Sequence, residues 1–137
     1  LGAAGILMGT RFIASDECES SPLGKETVVA SDGHDTILTT VLDTFQGRDW
    51  PGAWSRATRT SFVEEWLGRE PELRRRREEV RERLRRAREE GDRDYFAMWL
   101  GQSAGLVDSV LPAAEIVRAV AAEAEEILRV RLPGLLA

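Results

Sequence analysis

The apolar run Ile6-Leu7-Met8, cut off at Gly9-Thr10, constrains this chain more than any other stretch. Three large apolar side chains stopped by a tight polar pair fit a buried parallel strand and its exit. A strand is therefore expected over residues 5–9. In α/β folds ligands sit at that end of a strand, with phosphate often on backbone amides. Gly9 would let a group approach the backbone closely, and Thr10 offers a hydroxyl and an N–H.

Further along, Ser21-Pro22 reads as an N-cap and first helical residue, opening a helix that runs to Ala30 and stops at Ser31-Asp32-Gly33. Residues 36–42 are apolar and β-branched and read as a second strand, and 47–53 as a loop. A helix is expected over 56–68, with Phe62, Val63 and Trp66 on one face. Pro71 opens another, to about Glu90, in which Leu73, Val80, Leu84 and Ala87 form one narrow stripe among Arg and Glu. Two heptads are too few for an independent coiled coil, so this reads as a solvated helix lying on the protein. Gly91-Asp92 breaks it, and Tyr95 to Leu100 is expected to begin an aromatic helical stretch ending at Gly101. Pro112 opens the last helix, ended by Pro133-Gly134. Its wide stripe of Ile116, Val117, Val120, Ala121, Ala124, Ile127 and Leu128 should dock firmly on the body of the protein.

The chain has 137 residues, 19 basic against 24 acidic, and a net charge of −5, which argues against nucleic acid as the main partner. Four consecutive arginines from Arg74 are nearly cancelled by neighbouring glutamates. No apolar run approaches the ~20 residues of a membrane span. The single cysteine, Cys18, fits a reducing compartment, and the expected location is cytoplasmic. Asp16, Glu17 and Glu19 beside that thiol disfavour a thiolate nucleophile. The only histidine, His34, sits between aspartates in a polar loop and reads as solvated. No spacing suits a metal.

The strand-and-turn Ala3-Ala4-Gly5-Ile6-Leu7-Met8-Gly9-Thr10-Arg11-Phe12 resembles the last-strand signature of the nitronate monooxygenase family, formerly 2-nitropropane dioxygenases. The likeness continues in order through Ser21-Pro22-Leu23-Gly24-Lys25-Glu26, Asp35-Thr36-Ile37-Leu38-Thr39 and Phe62-Val63-Glu64-Glu65-Trp66. It resumes from Tyr95-Phe96-Ala97-Met98-Trp99 through Gly101-Gln102-Ser103-Ala104-Gly105 to Val107, and again at Leu111-Pro112-Ala113-Ala114-Glu115-Ile116-Val117.

The resemblance implies an α/β fold, the C-terminal part of an FMN-binding TIM (β/α)8 barrel that is helix-rich within this chain. A whole barrel takes about 250 residues, so the chain is expected to be a fragment that starts before the eighth strand and is inactive alone. The resemblance also implies FMN-dependent oxidation of an alkyl nitronate with dioxygen to a carbonyl compound and nitrite. Met8, Gly9 and Thr10 would be the strand-eight half of the phosphate site, with Arg11 as neighbour. The strand-seven loop, the ring-binding loops and the catalytic histidine of the family would lie before Leu1, so no catalytic residue is assigned here. Residues 101–105 alone suggest close backbone packing, but the resemblance puts Gln102 near the flavin mouth. Tyr95 and Trp99 are candidates for the substrate cavity, with core packing as the alternative. A flavin-dependent enoyl-acyl-carrier-protein reductase shares the phosphate site and is one alternative; a non-catalytic helical interaction module is another. A homodimer of the full-length protein stays open.

Overall fold

Helix α2 (Pro22–Ala30) begins as its first two residues require. Ser21 Oγ accepts from the Gly24 amide at 3.1 Å, and Pro22 has no N–H to leave unpaired in the first turn. The computed structural model describes residues 5–48 and 50–131. The loop after α2 turns at Gly33, whose φ of +79° suits glycine.

Strand β1 (Thr36–Thr39) is shorter than the expected 36–42. The Thr39 hydroxyl accepts from the Val41 amide at 3.0 Å, turning the chain into helix α3 (Val41–Gln46). Strand β2 (Ser55–Thr58) pairs antiparallel with β1, from Thr36 opposite Thr58 to Thr39 opposite Ser55. The helix expected from residue 56 is thus confined to α4 (Ser61–Trp66), capped by Thr60. The helical stretch expected at residues 95–100 is instead a turn at Tyr95 followed by non-helical chain, of which 98–100 lies along β2. The Thr58 amide donates to the Met98 carbonyl at 3.0 Å, and the Leu100 amide to Arg56 at 3.1 Å. Both segments are only a few residues long, and at that length pairing across the sheet outweighs local preference.

The expected helix from Pro71 is two: α5 (Glu70–Arg75) and α6 (Arg77–Glu90), the second ended by Gly91 at φ +69°. Their stripe of Leu73, Val80, Leu84 and Ala87 is buried, as expected for a solvated helix lying on the protein. It packs into a core with Val41, Phe62, Trp66 and Tyr95, where Phe62 meets Phe45 and Tyr95 edge-on at 5.8 and 5.5 Å. A smaller cluster joins Ala14, Val28, Leu100, Ala104 and Val107. Ala104 belongs to a short 3₁₀ helix, Gln102–Leu106.

The two ends differ from expectation. Residues 5–8 form no strand, and Leu7 is fully exposed. A parallel strand needs a ladder partner. Among the described residues the only parallel pairing is the single bridge of Ser15 with Leu111. Helix α7 (Ala113–Glu126), continued by a π-helical turn (Ile127–Arg131), buries Ile116 alone. Val117 is 55% exposed and Leu128 64%, so the stripe expected to dock does not dock here. The expected stop at Pro133-Gly134 lies outside the described residues. Among those described, no helix is long and apolar enough to cross a membrane.

Candidate functional site

Gly9 is the N-cap of helix α1 (Thr10–Ile13), a single turn closed by the Phe12 amide donating to the Gly9 carbonyl at 3.0 Å. The Phe12 amide is thus satisfied, while the Thr10 and Arg11 amides, the first two of the turn, have no carbonyl within it to bond. A cavity of about 900 Å³ opens here. Met8, Gly9, Thr10 and Arg11 form one wall, Ser103, Leu106 and Val107 a second, and Ile116 and Val120 of α7 a third. A Cβ placed on Gly9 would meet nothing within 4 Å, so the backbone there is open to close approach.

Thr10 Oγ1 accepts from the Gly101 amide at 3.2 Å, which orients its hydroxyl and leaves the proton to donate. A Cβ on Gly101 would sit 3.1 Å from that oxygen, so a side chain there would crowd the contact. The Arg11 guanidinium donates to the carbonyls of Ala14 and Ser109, both at 3.1 Å. It therefore ties residue 109 to α1 and fixes the cavity wall.

The structure brings Met8, Gly9, Thr10 and Arg11 together and sets Gln102 apart from them. Gln102 is exposed, and its carbonyl lies where a Cβ on Gly33 would come within 2.3 Å. Likewise, a Cβ on Gly105 would come within 2.4 Å of the Asp32 carbonyl. The small residues of 101–105 thus serve close backbone packing on the 31–33 loop. The wall residue from this segment is Ser103, which drew no attention beside the more conspicuous amide of Gln102.

Tyr95 belongs to the core. Its hydroxyl donates to Glu65 Oε2 at 3.1 Å, and Arg83 lies 4.2 Å over its ring while bonding both Glu65 oxygens at 3.0 Å. Burial, reinforced by the Glu65 charge, pushes the Tyr95 phenol up to about 12. Trp99 lines a different cleft, together with Trp50 and Trp54. The sequence signal for that cleft is two tryptophans four residues apart in a Gly/Pro loop. His34 is exposed, as expected for a solvated loop residue. Its amide donates to Asp32 Oδ1 at 2.8 Å, and this bond, with that from Asp35, holds the Asp32 carboxyl below its ordinary range. Among the described residues, no three His, Cys, Asp or Glu side chains gather as a metal site.

The family model described as nitronate monooxygenase matches residues 1–123. The nitronate monooxygenase npaC of Metarhizium robertsii is 35% identical over 140 residues, covering 93% of this chain and 37% of that protein. A probable nitronate monooxygenase of Staphylococcus haemolyticus is 32% identical over 112 residues, 80% of this chain and 29% of that one. Among solved structures, FabK of Thermotoga maritima matches with a TM-score of 0.69 at 34% identity, over 93% of this chain and 39% of FabK. The chain thus spans between 29% and 37% of the length of these two curated relatives.

Proposed function

Because this chain belongs to the nitronate monooxygenase family, we propose that it forms part of an FMN-dependent oxidoreductase acting on alkyl nitronates. Dioxygen would be the co-substrate, and a carbonyl compound and nitrite the products. The carrying observation is the wall Met8-Gly9-Thr10, where open backbone and an oriented hydroxyl line one cavity. That donor set suits a phosphate.

FMN, when bound, supplies the electron acceptor for nitronate oxidation. This chain's part is to bind and position. Gly9 keeps side-chain atoms away from the anion, and Thr10 donates to it while Gly101 holds the hydroxyl in place. Arg11 braces the wall through its two carbonyl bonds. We assign no catalytic base to this chain, and place the base and the ring-binding loops in the rest of the barrel. On this reading the exposed Ile6, Leu7 and α7 stripe meet that remainder, and the 137 residues alone bind FMN weakly and do not turn over. The location proposed is the cytoplasm. The likeness to FabK supports a second reading, a flavin-dependent enoyl-acyl-carrier-protein reductase-like enzyme.

The test is FMN titration by fluorescence quenching, in the enzyme at the full length of its relatives. Gly9→Val should weaken binding at least tenfold, about 1.4 kcal/mol. Thr10→Ala keeps the amide and should cost less, about 1 kcal/mol. A Gly9→Val enzyme that folds normally and binds FMN like its parent overturns the assignment. Nitronate-dependent consumption of dioxygen without added nicotinamide separates the first reading from the second.

A further inference from the structure

A second cleft opens where the loop after α3 joins β2. It has two adjoining lobes of about 460 and 320 Å³, both lined by Asp43, Arg48, Trp50 and Trp54. Those volumes fall within the range of small-molecule sites. The floor is rigidly built. The Trp99 indole N–H donates to Ser55 Oγ at 3.2 Å, and Ser55 donates to Asp43 Oδ2 at 2.5 Å. Asp43 is only 8% exposed, so a buried carboxylate locks the plane of Trp99 through one hydroxyl. The backbone of Arg48 is set by the helix stop before it. Gly47 ends α3 at φ +73°, and the Arg48 amide donates to the Asp43 carbonyl at 2.8 Å. Its guanidinium then lies 5.5 Å over the Trp99 ring.

The walls are unlike the floor. Trp50 and Trp54 are 62% and 68% exposed, so two large rings stand in water beside the Arg48 cation. Exposed aromatic surface rimmed by polar groups marks binding sites, and tryptophan and arginine dominate such sites energetically. The cation lies over the Trp99 ring, and the N–H edge of a guanidinium matches a planar pair of oxygens.

We propose that this cleft binds a planar aromatic ring bearing a carboxylate, with the ring against Trp50 and Trp54 and the carboxylate on the edge of Arg48. Asp43 is a positioning residue: its carboxylate holds Ser55 and, through it, Trp99. An aromatic cation would face Arg48, and a neutral ring would engage only the indoles. The site is separate from the cavity at Thr10 and independent of the flavin reading.

The probe is benzoate, titrated into the full chain while indole fluorescence is followed. Benzoate should quench saturably, acetate should be silent, and benzyl alcohol and benzylammonium should bind at least about tenfold more weakly. Arg48→Gln should raise the benzoate Kd about tenfold, and Arg48→Lys, with charge but no planar fork, should recover only part of that loss. Trp54→Ala should raise it about fivefold, and Trp54→Phe less. Trp54 lies outside both cores, so an unchanged thermal midpoint should accompany its loss. The proposal is overturned if benzoate gives no saturable change, if benzylammonium or benzyl alcohol matches it, or if Arg48→Gln binds like the parent.

Discussion

Helices α6 and α7 have the same length, and their stripes meet opposite fates. The first is almost entirely Arg and Glu, with a stripe one residue wide, yet Val80, Leu84 and Ala87 are all buried. The second is much richer in Ala, Val and Ile, yet of its apolar face only Ile116 is buried. Amphipathicity identifies the face that would be covered; what covers it is a property of the neighbours. For α6 those neighbours are Phe62 and Trp66, supplied by α4, and Tyr95, supplied by the turn that follows α6. For α7 the described residues supply the cavity wall at Met8 to Arg11 and little more.

The largest effect that bears on this contrast lies at the centre of the covered region. Phe62 is fully buried between two aromatic rings, so Phe62→Ala should lower unfolding stability by about 3–5 kcal/mol. Between the helices themselves, Leu84→Ala should cost about 2–4 kcal/mol and Leu128→Ala less than about 0.5. Urea unfolding of the 137-residue chain reads all three. Equal losses at Leu84 and Leu128 would break the comparison, because α7 would then be covered in solution. In the enzyme at its relatives' length the proposed role predicts that very equality, so Leu128→Ala also distinguishes the two states of the chain.

How far the sequence alone reaches follows the same division. Caps and stops were legible because they are local chemistry: Ser21 with Pro22, Gly91 after α6, and the stripe from Leu73 to Ala87. Strand β1 was legible, though expected too long, and β2 was not, because its four residues are held extended by pairing with β1 on one side and residues 98–100 on the other. At the site, Met8 to Arg11 were expected from a strand exit; the structure shows no strand there but lines one cavity with all four. Within 101–105 it is Ser103 rather than Gln102 that lines the cavity, where Gly33 and Gly105 pack on facing backbone. Nothing local encodes that.

A smaller effect tests whether Tyr95 pins α6 to the core. Its phenol titrates near 10 when unfolded and is pushed up to about 12 in the fold, chiefly by burial. Between those values the unfolded chain loses its proton first. Stability from this group is therefore full below about pH 10 and is lost as pH rises towards 12, by up to about 2 kcal/mol. Since the chain has one tyrosine, its phenolate absorbance follows the group directly. Tyr95→Phe should flatten the loss over that window. An identical alkaline decline in the variant would show that Tyr95 contributes none of it.

The smallest effect concerns the charges that cover the outer face of α6. Glu82 bonds Arg85 at 2.8 Å and Arg86 at 3.0 Å, and these guanidinia, Arg85 foremost, hold its carboxyl down to about 2. A depressed acid contributes stability above its ordinary range and loses it as pH falls towards the folded value. Here, however, all three side chains stand in water, where salt screens the pairs and their ordering opposes the gain. Glu82→Gln should therefore leave the urea midpoint at neutral pH unchanged at physiological salt, beside the large loss expected for Leu84→Ala two residues on. A drop in the midpoint that vanishes at high salt would reverse this ranking. It would make the charged face, rather than the buried stripe, what keeps α6 on the protein.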